Sequence, residues 1–355
     1  MNNTPVNQTL ASIARLIEEN NDFTLIMHVS PDGDSIGSAC ALRLALMAMG
    51  KRVQAVCDGD VPRIYRFLEG AEDIIKPNDA RITSAAIAVD CADEGRMGAA
   101  DEIFAQAKHT ANIDHHVTNT MFAQHNAVEA HAAAAAEVVK KLIEQLDADF
   151  GANIATCLFC GLVTDTGNFA YSNTTPDTFF AAGELLQRGA DNALINRAVY
   201  RSAPVSKRRM LGLGLIKAEY LHGGKVAVCK LTRADFDRFN ARDEDCEGII
   251  DNLRDVENVE IAMLMREKEP NVYKVSMRAK EYANVCAVAE RYGGGGHRLA
   301  AGWLHRARRI GGACRRAYRG AYTGIITINR DTDDRRYRKH IKAAGNDVQR
   351  RCGGR

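Results

Sequence analysis

Leu25-Ile26-Met27-His28-Val29-Ser30-Pro31-Asp32-Gly33-Asp34-Ser35 is an apolar run that ends in an imidazole and two carboxylates. The pattern recurs. Ala85-Ala86-Ile87-Ala88-Val89 leads into Asp90-Cys91-Ala92-Asp93, and Thr110-Ala111-Asn112-Ile113 leads into Asp114-His115-His116. A fourth acid, Asp165, lies in Gly161-Leu162-Val163-Thr164-Asp165-Thr166-Gly167. Short apolar or β-branched runs of this kind read as strands buried on both faces of a parallel sheet. The polar residues then sit at or just beyond strand C-terminal ends, where open α/β sheets bind ligands.

Carboxylates gathered at one sheet edge repel. A pair about 4 Å apart costs roughly 4 kcal/mol at an effective dielectric near 20. Such a cluster either protonates some members or holds cations. Asp32, Asp34, Asp90 and Asp165 bring four negative charges, which two divalent cations would neutralise. Oxygen-rich ligation with one or two imidazoles suits Mn²⁺ or Mg²⁺. Any one of these acids alone reads as readily as a helix N-cap or turn residue. All four together, with His28 and His115 in register, outweigh that reading.

The rest of the chain alternates helices and strands. Residues 7–19 and 35–49 have helical apolar spacing, the latter closed by Gly50, and 53–57 is a strand. Residues 131–146 and 178–187 are further helices, and 190–215 reads as a helical connector broken at Ala203-Pro204-Val205. Beyond it, 226–230, 261–265 and 272–278 are strands, and a helix over 284–292 delivers Gly293-Gly294-Gly295-Gly296-His297. Consecutive glycines adopt positive φ cheaply and expose backbone N–H groups as an anion nest. His297 adds a donor, and Arg278 offers a bidentate fork for phosphate. A hinge and an exposed strand charge are the plainer readings. The expected class is α/β: an N-terminal parallel-sheet domain with helices on both faces, and a smaller α/β domain.

Composition fits an intracellular enzyme. A chain of 355 residues exceeds what one core organises, so two domains are expected. Ten cysteines without a framework pattern point to reduced thiols in the cytoplasm. The Cys157-Leu158-Phe159-Cys160 motif lacks a second pair and reads as core packing. No basic leader precedes an apolar core, and no run is long enough to span a bilayer.

With these motifs in hand, the chain resembles DHH-family phosphoesterases, named for the triplet seen here as Asp114-His115-His116. Within that family it looks like the bacterial nanoRNases, oligoribonucleases that also dephosphorylate 3′-phosphoadenosine 5′-phosphate (pAp). The segments carrying the resemblance are PDGDSIGSA at 31–39, TDTGNF at 164–169 and GGGGHRLAAG at 293–302, the last being the DHHA1 signature. The resemblance implies a DHH catalytic domain over 1–190, a connector over 191–214 and a DHHA1 substrate domain over 215–302. It implies two divalent cations, Mn²⁺ ahead of Mg²⁺. His28, Asp32 and Asp90 would hold the first, and Asp34, Asp90, His115 and Asp165 the second, with Asp90 shared. His116 would contact the phosphoryl group and Asp114 would orient it. Arg278, Gly294, Gly295, Gly296 and His297 would grip substrate, with Asn168 and Phe169 bordering the nucleotide. Implied partners are short single-stranded RNA, dinucleotides and pAp, with no membrane and room for a homodimer. Relatives often carry Ser or Thr where this chain has Ala132 to Ala136. Cyclic- or linear-dinucleotide phosphodiesterases of the same superfamily are the alternative, and a non-enzymatic nucleotide-binding regulator is the third reading.

Charge breaks after Gly302. Residues 303–355 carry 15 Lys and Arg against 4 Asp and Glu, whereas 1–302 carry 32 against 41. A basic tail suits a nucleic-acid arm. The preferred expectation is an atypical segment, disordered or frameshifted relative to the family.

Overall fold

The computed structural model describes residues 9–306, and the chain divides between Ser202 and Ala203 into two compact units. The first unit contains α1 (Leu10–Glu19), β1 (Asp22–Ile26), α2 (Gly33–Ala48), β2 (Arg52–Val56), β3 (Ala85–Val89), α3 (Asp101–Gln106), β4 (His109–Asp114), β5 (His125–Val128), α4 (Ala135–Gln145), α5 (Ala152–Asp165), α6 (Pro176–Gln187) and α7 (Asn192–Ile195). A π-helical turn over Asn196–Arg201 follows α7.

All five strands run parallel in the order β2-β1-β3-β4-β5. Every residue of β3 is buried, as a strand covered on both sides requires. Alternate side chains feed two cores. Leu25 and Ile87 join the large core with α1, α2, α4 and α5, whereas Ile26, Ala86 and Ala88 face Met97, Ile103 and Phe104 around α3. The chain leaves β1 to build β2 on one side, then returns to lay β3 on the other. That reversal opens a crevice beyond the carboxyl ends of β1 and β3.

Helices α2 and α5 approach closely because Gly37 and Gly161 lack side chains. A Cβ at Gly161 would lie 2.7 Å from Asp34 Oδ1, and one at Gly37 would collide with the Cys157 carbonyl. This contact brings the C-terminal end of α5 to the N-terminal end of α2.

Some expected boundaries move. Helix α2 starts at Gly33 because Asp32 caps it, accepting from the Asp34 and Ser35 amides. Helix α4 starts at Ala135 rather than 131, after a turn, and the helix before the glycine run shortens to α11 (Cys286–Glu290). Asp165, for which no preceding strand was expected, ends a helix, α5.

The second unit contains α8 (Val205–Ile216), β6 (Glu219–Leu221), β7 (Val226–Leu231), α9 (Arg233–Phe239), α10 (Ile249–Arg254), β8 (Ile261–Glu269), β9 (Val272–Ala279), α11, β10 (Gly295–His297) and β11 (Ala300–Arg306). The sheet order is β10-β11-β9-β8-β7-β6, antiparallel except for β7 beside β8. One face packs on α8, α9 and α10, the other on α11. The expected break after Gly302 is also corrected. Strand β11 continues to Arg306, pairs with β9 throughout, and buries Trp303 against Tyr292 with ring centroids 5.0 Å apart. The rest of the basic tail lies outside the described residues. Among those residues the cysteines are all free, and no helix is long and apolar enough to cross a membrane.

Candidate metal centre

Four chain segments converge at the crevice. His28 follows β1, and Asp32 and Asp34 open α2. Asp90 follows β3 with φ +59°, a left-handed turn that Asp tolerates better than most residues. Asp114 ends β4, His115 and His116 follow it, and Asp165 ends α5.

The six expected ligands come together around Asp90. Its Oδ2 lies 3.5 Å from His28 Nε2, which is 3.8 Å from Asp32 Oδ2. Its Oδ1 lies 3.6 Å from His115 Nε2. That same nitrogen is 3.8 Å from Asp34 Oδ2 and 3.5 Å from Asp165 Oδ2. Asp90 thus turns Oδ2 to His28, which stands with Asp32, and Oδ1 to His115, which stands with Asp34 and Asp165; Oδ1 is also 3.6 Å from His116 Nδ1. Asp32 serves both readings of its type, since Oδ1 caps α2 while Oδ2 faces His28.

Asp34 is fixed from a distant part of the chain. Its carboxylate accepts from the Ala135 amide at 2.6 Å, the Ala136 amide at 2.9 Å and Ser38 Oγ at 3.1 Å. The first amides of α4 therefore carry this carboxylate, with the helix dipole in its favour. The alanine run contributes its backbone amides here, beside the Ser38 hydroxyl.

The donor set fits divalent cations. Asp90 Oδ1 and His28 Nδ1 are buried without a hydrogen-bond partner, and no Lys or Arg pairs with these carboxylates among the described ion pairs. Burial, then the charges of Asp165 and Asp32, pushes the Asp34 carboxyl up to about 7. Burial with Asp32 and Asp114 lifts Asp165 to about 6, and burial with Asp34 and Asp32 lifts Asp90 well above the usual range. Bound dications would reverse these shifts by stabilising the ionised forms.

The chain matches the DHH family, N-terminal domain, over residues 22–162 and the DHHA1 domain over residues 223–306. It is 37% identical over 296 residues to a bifunctional oligoribonuclease and PAP phosphatase, NrnA, of Thermus thermophilus, covering 82% of this chain and 86% of that protein. The chain belongs to the DHH family. Another relative, the bifunctional oligoribonuclease and PAP phosphatase NrnA of Mycoplasma pneumoniae, is 26% identical over 85% of this chain and 93% of its own length. In fold, this DHH protein matches the crystal structure of an exopolyphosphatase-related protein from Bacteroides fragilis. The TM-score is 0.80, with 24% identity, covering 88% of this chain and 94% of that one.

The triplet that names the DHH family has a built second layer. His116 Nδ1 lies 2.8 Å from Asp114 Oδ1, and that hydrogen bond raises the imidazole to about 9 despite burial, helped by the charges of Asp114, Asp90 and Asp165. Burial opposes ionisation of Asp114, but bonds from His116 and Asn119 outweigh it and hold this carboxyl below its usual range. Asn119 Nδ2 reaches Asp114 Oδ2 at 2.6 Å and Asn112 Oδ1 at 2.9 Å. Sequence reading missed Asn112 and Asn119. Their only signal is two carboxamides flanking the triplet within one strand–turn.

In the second unit, register aligns Arg278 of β9, Ala300 of β11 and His297 of β10 in one row across three strands. Small Ala300 separates the two basic side chains. Arg278 Nε stands 4.0 Å from Asp251, and Nη1 donates to the Met277 carbonyl. Gly295, Gly296 and His297 form an exposed edge strand, so the glycine run is partly paired and is not an open loop. Gly294 instead donates its amide to the Ala289 carbonyl. In the first unit Asn168 and Phe169 adopt φ +59° and +64°, and the Phe169 ring packs on Phe159 and Phe179.

The buried acids set a pH signature. Asp34 and Asp165 bind protons more tightly in the folded chain than unfolded, so their protons are an advantage of the folded state that disappears as pH rises from about 4 through 7. His116, also raised, adds stability present below the ordinary imidazole value and lost towards pH 9. Metal-free protein should therefore melt several degrees higher at pH 5.5 than at pH 8.5 in EDTA, and Mn²⁺ should remove that fall. A melting temperature that rises with pH in EDTA would contradict the burial of these acids.

Proposed function

We propose that this protein is a metal-dependent phosphoesterase that hydrolyses short oligoribonucleotides to mononucleotides and pAp to AMP. The observation that carries the reading is Asp90, whose two carboxylate oxygens face separate imidazole–carboxylate groups. His28, Asp32 and Asp90 are assigned to one cation, and Asp90, Asp34, His115 and Asp165 to the other, with Mn²⁺ preferred over Mg²⁺. When bound, the cations supply Lewis acidity and lower the pKa of water to near neutrality.

The chain's own residues do the rest. Asp114 Oδ1 and His116 Nδ1 share a hydrogen bond that favours the protonated ring and leaves Nε2 to meet a phosphoryl or leaving oxygen. Asn119 fixes Asp114, so the imidazole is oriented before substrate arrives. Catalysis is assigned to the first unit. Phosphate recognition is assigned to the second, through the Arg278–His297 row and its glycine edge. Eight free cysteines among the described residues support a reducing, cytoplasmic setting.

The test is product analysis with Mn²⁺ on pAp, a linear dinucleotide, a cyclic dinucleotide and a long RNA. Turnover of pAp and the linear dinucleotide should exceed that of the other two by about tenfold or more. Preference for the cyclic substrate would favour the alternative within the superfamily. Arg278→Ala should lower kcat/KM on pAp and dinucleotide about 10–100-fold, the scale of a lost charged phosphate contact. It should spare a small generic phosphodiester. Equal loss on both would make Arg278 structural.

A further inference from the structure

A cavity of about 880 Å³ in the first unit is lined by three phenylalanines, three asparagines and two arginines. None of the metal-cluster residues lines it. Phe169 stacks on Phe179 with centroids 5.2 Å apart, and Phe159 meets Phe169 edge-on. Phe179 remains 57% exposed, so an aromatic surface stays available at the wall. Asn192 and Asn196 are locked together, Asn196 Nδ2 donating to Asn192 Oδ1 at 2.6 Å. The bond leaves one amide donor and one carbonyl acceptor without a partner among the described hydrogen bonds. Arg197 and Arg201 stand four residues apart on the π-helical turn, and neither enters an ion pair among the described residues.

These groups match the parts of a nucleotide. A base has a π-face for Phe179 and donors and acceptors for the carboxamides, and a phosphate suits paired guanidiniums. Two further features mark the cavity as built for a ligand. Phe169, a bulky residue, sits at φ +64°, a backbone cost that holds its ring at the wall. The arginines come from a π-helical turn, a rare geometry that occurs frequently at functional sites.

We infer that this cavity, whose lining shares no residue with the metal cluster, is a second nucleotide site that takes a nucleoside 5′-monophosphate with its base on Phe179 and its phosphate on Arg197 and Arg201, so that Asn168 and Phe169 border this nucleotide and not the one at the metals. The choice of ligand rests on the proposed function, which releases such monophosphates. The geometry of the cavity does not depend on it.

Calorimetric titration of the full chain with 5′-AMP in EDTA tests the inference. The Asp90→Asn, Arg278→Ala double variant removes the contributions of the metal centre and the second unit. Saturable AMP binding should persist in it. It should weaken about tenfold with Phe179→Ala, the loss expected for one stacking partner, and at least as much with Arg197→Gln plus Arg201→Gln. These side chains are exposed, and circular dichroism checks that each variant folds. Adenosine and ribose 5-phosphate should each bind more weakly than AMP. No saturable binding in the double variant overturns the site, as does binding that the cavity variants leave unchanged. Inorganic phosphate binding as tightly as AMP also overturns it. Dinucleotide hydrolysis by the wild type is measured in parallel. Its absence beside cavity-dependent AMP binding would count against the proposed function and for the site.

Discussion

Asp90→Asn should lower kcat/KM on pAp and dinucleotides by about 10³-fold or more while the protein stays folded. The carboxylate is buried and turns one oxygen to His28 and the other to His115. The amide that replaces it supplies one acceptor and no charge, so it cannot serve both ligand groups. Losing shared charge at a two-cation site removes several kcal/mol of transition-state stabilisation, which sets the scale. Asn also tolerates the left-handed backbone at this position, so the substitution isolates chemistry from strain. In EDTA the variant should melt above the wild type, because it removes a buried acid that its neighbours Asp34 and Asp32 disfavour. Asp93→Ala is the contrast. Asp93 caps a 3₁₀ turn through the Arg96 amide at 3.1 Å. Its loss should cost about 1 kcal/mol of stability and leave turnover within a few-fold. Comparable activity losses from the two substitutions would refute the sharing of Asp90.

Chelation should reduce hydrolysis to background, and Mn²⁺ should restore it more fully than Zn²⁺. Without cations the site holds four carboxylates that oppose one another, and Asp34, Asp90 and Asp165 respond with raised proton affinity. The donors are carboxylate oxygens and imidazole nitrogens. Cys91, next to Asp90, points its thiol at the Val89 carbonyl, and burial raises it well above its usual range. A site dominated by carboxylate oxygens suits Mn²⁺ and Mg²⁺. The effect should be at least 10³-fold, since loss of both ions removes the Lewis acid and the activated water together. Full activity in excess EDTA would leave the cluster without a catalytic role.

The strand-end pattern made most of the candidate metal centre legible. Runs such as Ala85–Val89 announce a doubly covered strand, and the polar residue after each is then placed by topology. Asp165 belonged to the set for its charge, but its position came from a different cause. It reaches the crevice because Gly37 and Gly161 let α5 press against α2, a long-range contact that leaves no periodic trace. The role of α4 was hidden for a similar reason, because backbone amides of Ala135 and Ala136 hold Asp34 and carry no residue signature. In the second unit the basic composition after Gly302 hid the end of β11. Trp303 is core in that strand, and pairing with β9 decides the matter where local charge misleads. The Phe179–Arg201 cavity joins residues from α5, α6, α7 and the π-helical turn with Asn168 and Phe169, a set that no single motif spans.

Diffraction at the manganese edge from crystals grown with Mn²⁺ addresses the two-cation centre most directly. Two anomalous peaks per chain are expected, one beside His28 and Asp32 and one beside His115, Asp34 and Asp165, with Asp90 between them. A single peak, or a pair that leaves Asp90 uncoordinated, would contradict it.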